Sequence, residues 1–136
     1  MVASFITRIR LPDLDLELPA KLDTGAKSSS LHAERIVAFE RKGRLWVRFR
    51  FAWGASPRIV IERPVIRIAR IRRAGVGVRQ RYVVRLRLCV AGKTAVTAFT
   101  LADRTGMRYA VLVGRRFLNG RILVASRRGS RGLKRC

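Results

Sequence analysis

Apolar and polar residues alternate with a period of two along most of the chain. Leu45, Val47, Phe49 and Phe51 fall on one face of a stretch whose other face carries Trp46, Arg48 and Arg50. Tyr82, Val84, Leu86, Leu88 and Val90 likewise oppose Arg81, Arg85 and Arg87. A period of two is the repeat of a strand with one buried face, and almost none of the chain shows the repeat of an amphipathic helix. Further strands are predicted at residues 3–10, 36–39, 94–101, 109–114 and 122–124, and through the β-branched residues of 59–71. Residues 11–19 read as another, because Leu14, Leu16 and Leu18 alternate with Asp13, Asp15 and Glu17.

Turn residues separate these segments. Arg41-Lys42-Gly43-Arg44 and Ala91-Gly92-Lys93 are hairpin turns, and residues 72–78 hold two glycines at a hairpin tip. Residues 115–119 predict one helical turn closed by Gly120. Short strands at regular spacing give an all-β barrel or sandwich. A chain of 136 residues, about half of them apolar, fills one core and forms one domain.

Charge changes this picture. Lysine and arginine number 31 against 8 acids, a net charge of +23. Two origins are open. One is a polyanionic partner such as RNA or the ribosome. The other is a genome-wide bias toward arginine codons, which the even spread of arginines fits as well. On strands the alternating arginines form solvated outer faces.

Several chemistries are excluded. Cys89 and Cys136 make no disulfide framework, and Cys89 reads as a small core residue. His32 is the single histidine, so neither a zinc site nor an activated thiol is available; it reads as a structural residue. No run of ~20 apolar residues exists to span a bilayer, and Arg8 and Arg10 interrupt any secretory signal core. A cytoplasmic, reduced protein is expected, with no cofactor, no metal and no membrane.

The segment with chemical content is Ala20-Lys21-Leu22-Asp23-Thr24-Gly25-Ala26-Lys27-Ser28-Ser29-Ser30-Leu31-His32-Ala33. An apolar strand ends at a carboxylate, and a hydroxyl, a glycine and a small residue follow. Gly25 lets the loop turn tightly and leaves space for a close approach. Asp-Thr-Gly alone is a weak motif, so its value rests on what accompanies it.

In order along the chain come this loop, then Ala74-Gly75-Val76-Gly77-Val78, then Val111-Leu112-Val113-Gly114-Arg115-Arg116-Phe117-Leu118. Together they resemble the retropepsin-like aspartic peptidases, over roughly residues 16–124. The extended form Lys21 to Ala33, with Leu45-Trp46-Val47-Arg48-Phe49 and Arg81-Tyr82-Val83-Val84, is similar to a bacterial branch associated with RimK-type glutamate ligases. That branch carries the label "ATP-dependent zinc protease". This chain has neither a Walker loop nor a His-Glu-x-x-His motif.

The resemblance implies a retropepsin-like acid protease barrel with a flap hairpin and one short C-terminal helix. It implies a peptidase domain at 1–125 and leaves a basic flexible tail at 126–136. The implied activity is an aspartic endopeptidase. Asp23 is the catalytic acid, and with one motif per chain the site needs a homodimer. Thr24, Gly25, Ala26 and Gly114 would support the loop. Lys27, Ser28, Gly75, Val76 and Gly77 would meet the peptide. A cation at Lys27 suits acidic or glutamate-rich substrates.

Two departures stand out. Lys27 replaces the acid that usually pairs with the arginine at Arg115, so Arg115 needs another carboxylate, with Asp13, Asp15 and Glu17 as candidates. Val124-Ala125 replaces the branch's usual Val-Asp. The alternative function is a catalytically silent basic barrel that binds RNA or the ribosome, or regulates an ATP-grasp ligase.

Overall fold

The computed structural model describes residues 1–73, 75, 77–128 and 135–136. In chain order its strands are β1 (Val2–Leu11), β2 (Leu16–Leu22), β3 (Ser29–His32), β4 (Glu34–Arg41), β5 (Arg44–Phe51) and β6 (Ile59–Pro64). They continue with β7 (Arg67–Arg73), β8 (Gly77–Val90), β9 (Lys93–Ala102), β10 (Val111–Val113) and β11 (Leu123–Arg128). One short helix, α1 (Arg115–Leu118), precedes β11.

The larger sheet runs β11-β1-β2-β10-β3-β9-β8-β7, and β1 also pairs with β8. That pairing closes β1, β2, β10, β3, β9 and β8 into a ring, which leaves no free edge among the six. β7 returns along β8 as a hairpin, with Arg73 opposite Gly77. β4, β5 and β6 form a second antiparallel sheet. The result is all-β with a hairpin arm and one short C-terminal helix, as the retropepsin resemblance implies.

The alternating positions explain the core. Val84, Leu86, Leu88 and Val90 of β8 point inward with Phe99 and Leu101 of β9, and all are buried. Val47, Phe49, Phe51 and Ile61 of the second sheet join the same cluster. Each such side chain contributes about 1.5–3 kcal/mol by leaving water. The turns behave as predicted: Lys42 and Gly43 take φ of 52° and 74°, and Ala91 and Gly92 take 51° and 79°. Positive φ at both central residues is what a two-residue hairpin requires.

Three expectations change. Residues 11–19 are not one strand. Pro12–Leu14 form a 3₁₀ turn and Asp15 is left-handed at φ 50°, so the chain reverses before β2 and pairs Leu11 with Leu16. The β-branched run 59–71 divides into β6 and β7, which belong to different sheets. Val65 still bonds to Leu45 of the second sheet, while Ile66 bonds to Val83 of the ring. Third, Cys89 and Cys136 are joined in a disulfide, their Cα atoms 5.9 Å apart across 47 residues. Cys89 lies on the face of β8 opposite Leu88 and Val90, beside Arg10 of β1, and Cys136 is bonded to it there.

The boundary expected after residue 125 falls inside β11, whose pairing with β1 continues to Arg128 opposite Ile6. Residues 129–134 of the expected tail lie outside the described residues. Among the described residues no helix is long and apolar enough to cross a membrane.

Candidate active site

β2 delivers Asp23. Leu16, Leu18, Ala20 and Leu22 are buried while Glu17 and Lys21 face solvent. β10 runs parallel beside it, with Val113 opposite Leu22. The ladder extends one step further, where the Asp23 N–H donates to the Val113 carbonyl at 2.8 Å. The chain then turns, and the Ala26 N–H donates to the Asp23 carbonyl at 3.2 Å.

The Asp23 carboxylate folds back over this turn. Its Oδ1 accepts the Gly25 N–H at 2.9 Å, a turn that an aspartate makes with backbone two residues on. A β-carbon on Gly25 would stand 3.2 Å from that oxygen, so glycine gives the carboxylate its room. Oδ2 has Lys21 Nζ at 3.9 Å, and the acid side chain is 29% exposed. Lys21 was not among the residues singled out from sequence. Strand alternation is the signal that could have found it, since residues 21 and 23 share a face.

The loop is held by the segment after β10. The Gly114 N–H donates to Ser29 Oγ at 3.1 Å. The first two helical N–H groups, Arg115 and Arg116, donate to the Ala26 and Lys27 carbonyls at 2.7 and 3.1 Å. Donors that a helix start leaves unpaired thus fasten the loop. Arg115 also donates from Nη1 to the Thr24 carbonyl at 3.1 Å.

This corrects the expectation that Arg115 pairs with a nearby carboxylate. Arg87 takes Asp13, through its backbone N–H at 2.8 Å and its Nε at 3.0 Å. Arg10 takes Asp15 and Arg8 takes Glu17. Burial works to raise the Asp13 pKa, but the hydrogen bonds and charge of Arg87 outweigh it and hold the carboxyl below its ordinary range.

Asp23, Thr24, Gly25, Ala26, Lys27 and Gly114 are therefore brought into one hydrogen-bonded unit. Ser28 is half-buried directly behind it. Gly75 and Gly77 sit on a separate element, the β7–β8 hairpin, with φ of 79° and 84°. These left-handed values favour glycine. Val76 lies outside the described residues. Along the arms, Arg70 faces Gln80 and Arg72 faces Val78 in register. These residues share the face of β8 that carries Val84 and Leu86 into the core.

His32 secures the far end of β3. It is buried at 1% exposure. Nδ1 accepts the Arg104 N–H at 2.9 Å, so the neutral ring carries its proton on Nε2. Nε2 lies 2.7 Å from Glu34 Oε2. Arg50 donates to the other oxygen of Glu34 at 2.7 Å. These bonds, Arg50 first and His32 second, hold the Glu34 carboxyl below its usual range. Asp103 is lowered by the hydroxyl and N–H of Thr105, and burial lowers the Arg104 pKa. The ring also packs edge-on against Trp53 and Phe51, at 5.0 and 6.2 Å between centroids. His32 thus ties β3 to the second sheet.

Among the described residues no group of three His, Cys, Asp or Glu side chains could hold a metal ion. The arrangement offers one partly exposed carboxylate at the loop, paired among the described residues with Lys21 and with no arginine. In chemical terms it can hold or pass a proton and orient a water.

Comparisons with known proteins bear on this arrangement. The family model described as RimB-like, retropepsin-like aspartic endopeptidase RimB, matches residues 4–131. A probable alpha-L-glutamate ligase of Parasynechococcus marenigrum is 36% identical over 118 residues, covering 84% of this chain and 25% of the relative. A probable alpha-L-glutamate ligase of Shewanella halifaxensis is 32% identical over 110 residues, covering 79% and 24%. The chain spans about a quarter of the length of the curated relatives it matches. A crystal structure of a Legionella pneumophila protein of unknown function superposes with a TM-score of 0.78 at 28% identity, covering 92% of each chain.

Proposed function

The chain belongs to the RimB-like family of retropepsin-like aspartic endopeptidases, and from that membership we propose that it hydrolyses peptide bonds as a homodimer. The observation that carries the reading is the Asp23 carboxylate, partly exposed at the tip of β2 on a loop fastened by Gly114 and Arg115. Two such loops meet on a twofold axis. Their carboxylates share one proton, because like charges about 3 Å apart cannot both ionise.

The ionised carboxylate takes a proton from a water lying between the two. The water oxygen bonds to the peptide carbonyl carbon while the protonated partner donates to the carbonyl oxygen. The tetrahedral intermediate collapses with proton transfer to the leaving nitrogen, which yields an acid and an amine. No covalent enzyme intermediate forms. Gly25 presents backbone to the substrate and Ala26 leaves it room. Thr24 braces the loops across the axis. The Gly75–Gly77 tip closes over an extended peptide, which pairs by backbone hydrogen bonds.

The substrates in this reading are acidic or glutamate-rich peptides. Lys21 and Lys27 flank the acid, and Arg70 and Arg72 occupy the inward face of the hairpin arm. Relatives named as glutamate ligases point to a partner of the RimK type, whose product such a peptidase would trim. Ligase and ribosomal substrates work in the cytoplasm, where the reading has Cys89 and Cys136 revert to thiols. The net charge of +23 favours a second reading, a barrel that binds RNA or the ribosome without turnover.

Digestion of a peptide library by the wild type and Asp23→Asn in parallel, from acid to neutral pH, tests the proposal. Cleavage by the wild type alone is expected. Cleavage that persists in Asp23→Asn overturns the mechanism. Binding that ignores Asp23→Asn and falls steeply with salt would favour the second reading.

A further inference from the structure

The second sheet has an outer face that the proposed site does not use. β5 turns Leu45, Val47, Phe49 and Phe51 to one side and Arg44, Trp46, Arg48 and Arg50 to the other. Val47, Phe49 and Phe51 lie in the core. Cross-strand partners share a face, so the outward row of Trp46 continues into Phe39 of β4 and Pro64 of β6. The next row sets Arg48 between Val37 and Glu62.

Two aromatic rings therefore sit side by side on a wet surface, their centroids 6.4 Å apart. Phe49, Phe51 and Trp53 belong to the core or pack against it, but Phe39 and Trp46 do neither. Val37 and Val60, on the same face, are 49% and 66% exposed.

Arg41 shows what the rings accept. Its guanidinium carbon stands 4.4 Å from the Trp46 centroid and 5.1 Å from that of Phe39. A flat, delocalised cation stacks on an aromatic face, and a nucleobase stacks there in the same way. Arg41 is also paired with Glu62 at 3.3 Å, the two side chains 43% and 39% exposed, and a pair so wet holds weakly. A base can take its place on the rings, and Arg41 then reaches the adjoining phosphate. Arg44 and Arg48 flank the rings on the same face. Among the described residues neither is in an ion pair.

Shape and charge together select the occupant. A glutamate-rich peptide would satisfy the arginines and leave the rings bare. The centre of a protein interface is depleted of charge, whereas here arginines interleave with the rings. A duplex hides its bases within its own stack, but a single strand offers flat bases and phosphates at once.

We propose that the outer face of the β4–β5–β6 sheet is a platform for single-stranded RNA, on which Phe39 and Trp46 stack bases while Arg41, Arg44 and Arg48 meet phosphates. The platform rests on the RNA-binding reading given above, from which RNA rather than DNA is taken, and it needs nothing from Asp23.

The test titrates full-length protein into a fluorescently labelled oligouridine of about 12 nucleotides at about 0.15 M salt and follows anisotropy. Trp46→Leu keeps an apolar side chain and removes the ring. It should weaken binding about tenfold, the scale of one lost base stack. Arg48→Gln should weaken binding and lower the slope of log affinity against log salt by about 0.7, the share of one phosphate on a single strand. Arg85→Gln removes the same charge from the outer face of β8 and should leave affinity within twofold. Intrinsic fluorescence gives a second readout. The chain has two tryptophans, and Trp53 packs against the core, so RNA should quench the wild type and leave Trp46→Leu unquenched. Unchanged affinity in Trp46→Leu, or equal weakening by Arg85→Gln, overturns the platform and leaves the RNA-binding reading standing. Wild-type protein that binds no RNA overturns both. A wild-type dimer that Trp46→Leu dissociates gives the face to a second copy and overturns the platform.

Discussion

Gly114 backs directly onto Ser28: a β-carbon on Gly114 would stand 2.5 Å from the Ser28 carbonyl oxygen. The backbone of Gly114, at φ −95° and ψ 178°, is open to any residue, so the glycine is required by space alone. Gly114→Ala should push the loop strand away and cost about 1–3 kcal/mol, the usual range for overpacking. Urea unfolding checks this: the midpoint should fall with an unchanged slope. An unaltered midpoint would mean the contact can yield.

Lys21 gives a different kind of prediction. Its ammonium is 3.9 Å from Asp23, and the two side chains are 47% and 29% exposed. A pair so wet contributes at most about 1 kcal/mol. Lys21→Met should therefore leave the unfolding midpoint nearly unchanged. In a peptidase assay it should slow turnover of glutamate-rich peptides more than of neutral ones, since it removes a cation beside the reacting acid. Equal slowing of both would assign Lys21 no part in substrate choice.

Arg115 fastens the loop through the Thr24 carbonyl instead of through an acid. Arg115→Met removes that bond and leaves the backbone anchors of α1 in place. Activity should drop about tenfold, in line with a charged hydrogen bond of roughly 1.5–3 kcal/mol. Far-ultraviolet circular dichroism should not change. Full activity in Arg115→Met would show that the backbone anchors suffice.

Acid should destabilise the fold through identifiable groups. Asp13, Glu34 and Asp103 each have a folded-state pKa below the ordinary values of 3.8, 4.5 and 3.8. Depressed carboxyl values stabilise the folded state above the unfolded pKa, and that stabilisation is lost as pH falls through the folded value. Urea midpoints should be level from pH 7 to about 5 and decline below about 4. Arg50→Gln removes the leading cause of the Glu34 shift and should make the decline shallower. A midpoint that rises on acidification contradicts the account.

The period-two pattern made β5 and the 81–90 part of β8 legible, because there Val47, Phe49, Phe51, Val84, Leu86 and Leu88 are buried against exposed arginines. Gly43 and Gly92 marked hairpin turns correctly for the same local reason. What stayed hidden depended on distant contacts. Residues 11–19 keep strand alternation, yet Pro12 and left-handed Asp15 reverse the chain inside the run. Residues 59–71 look continuous because strands of either sheet favour the same β-branched residues. Cys136 pairs with Cys89 across 47 residues, which no spacing encodes. At the site, Asp23 and Gly114 were readable from their motifs. The bond of Arg115 to a carbonyl was not, since any backbone oxygen can replace a carboxylate.

The central claim is that each chain supplies one Asp23 and borrows the second from its twin. Specific activity measured across a dilution series, with and without excess Asp23→Asn protein, tests it most directly. Activity per chain should fall on dilution as dimers separate, and the Asp23→Asn protein should suppress the wild type by forming mixed dimers. Activity per chain that is constant on dilution and indifferent to the Asp23→Asn protein would contradict the account.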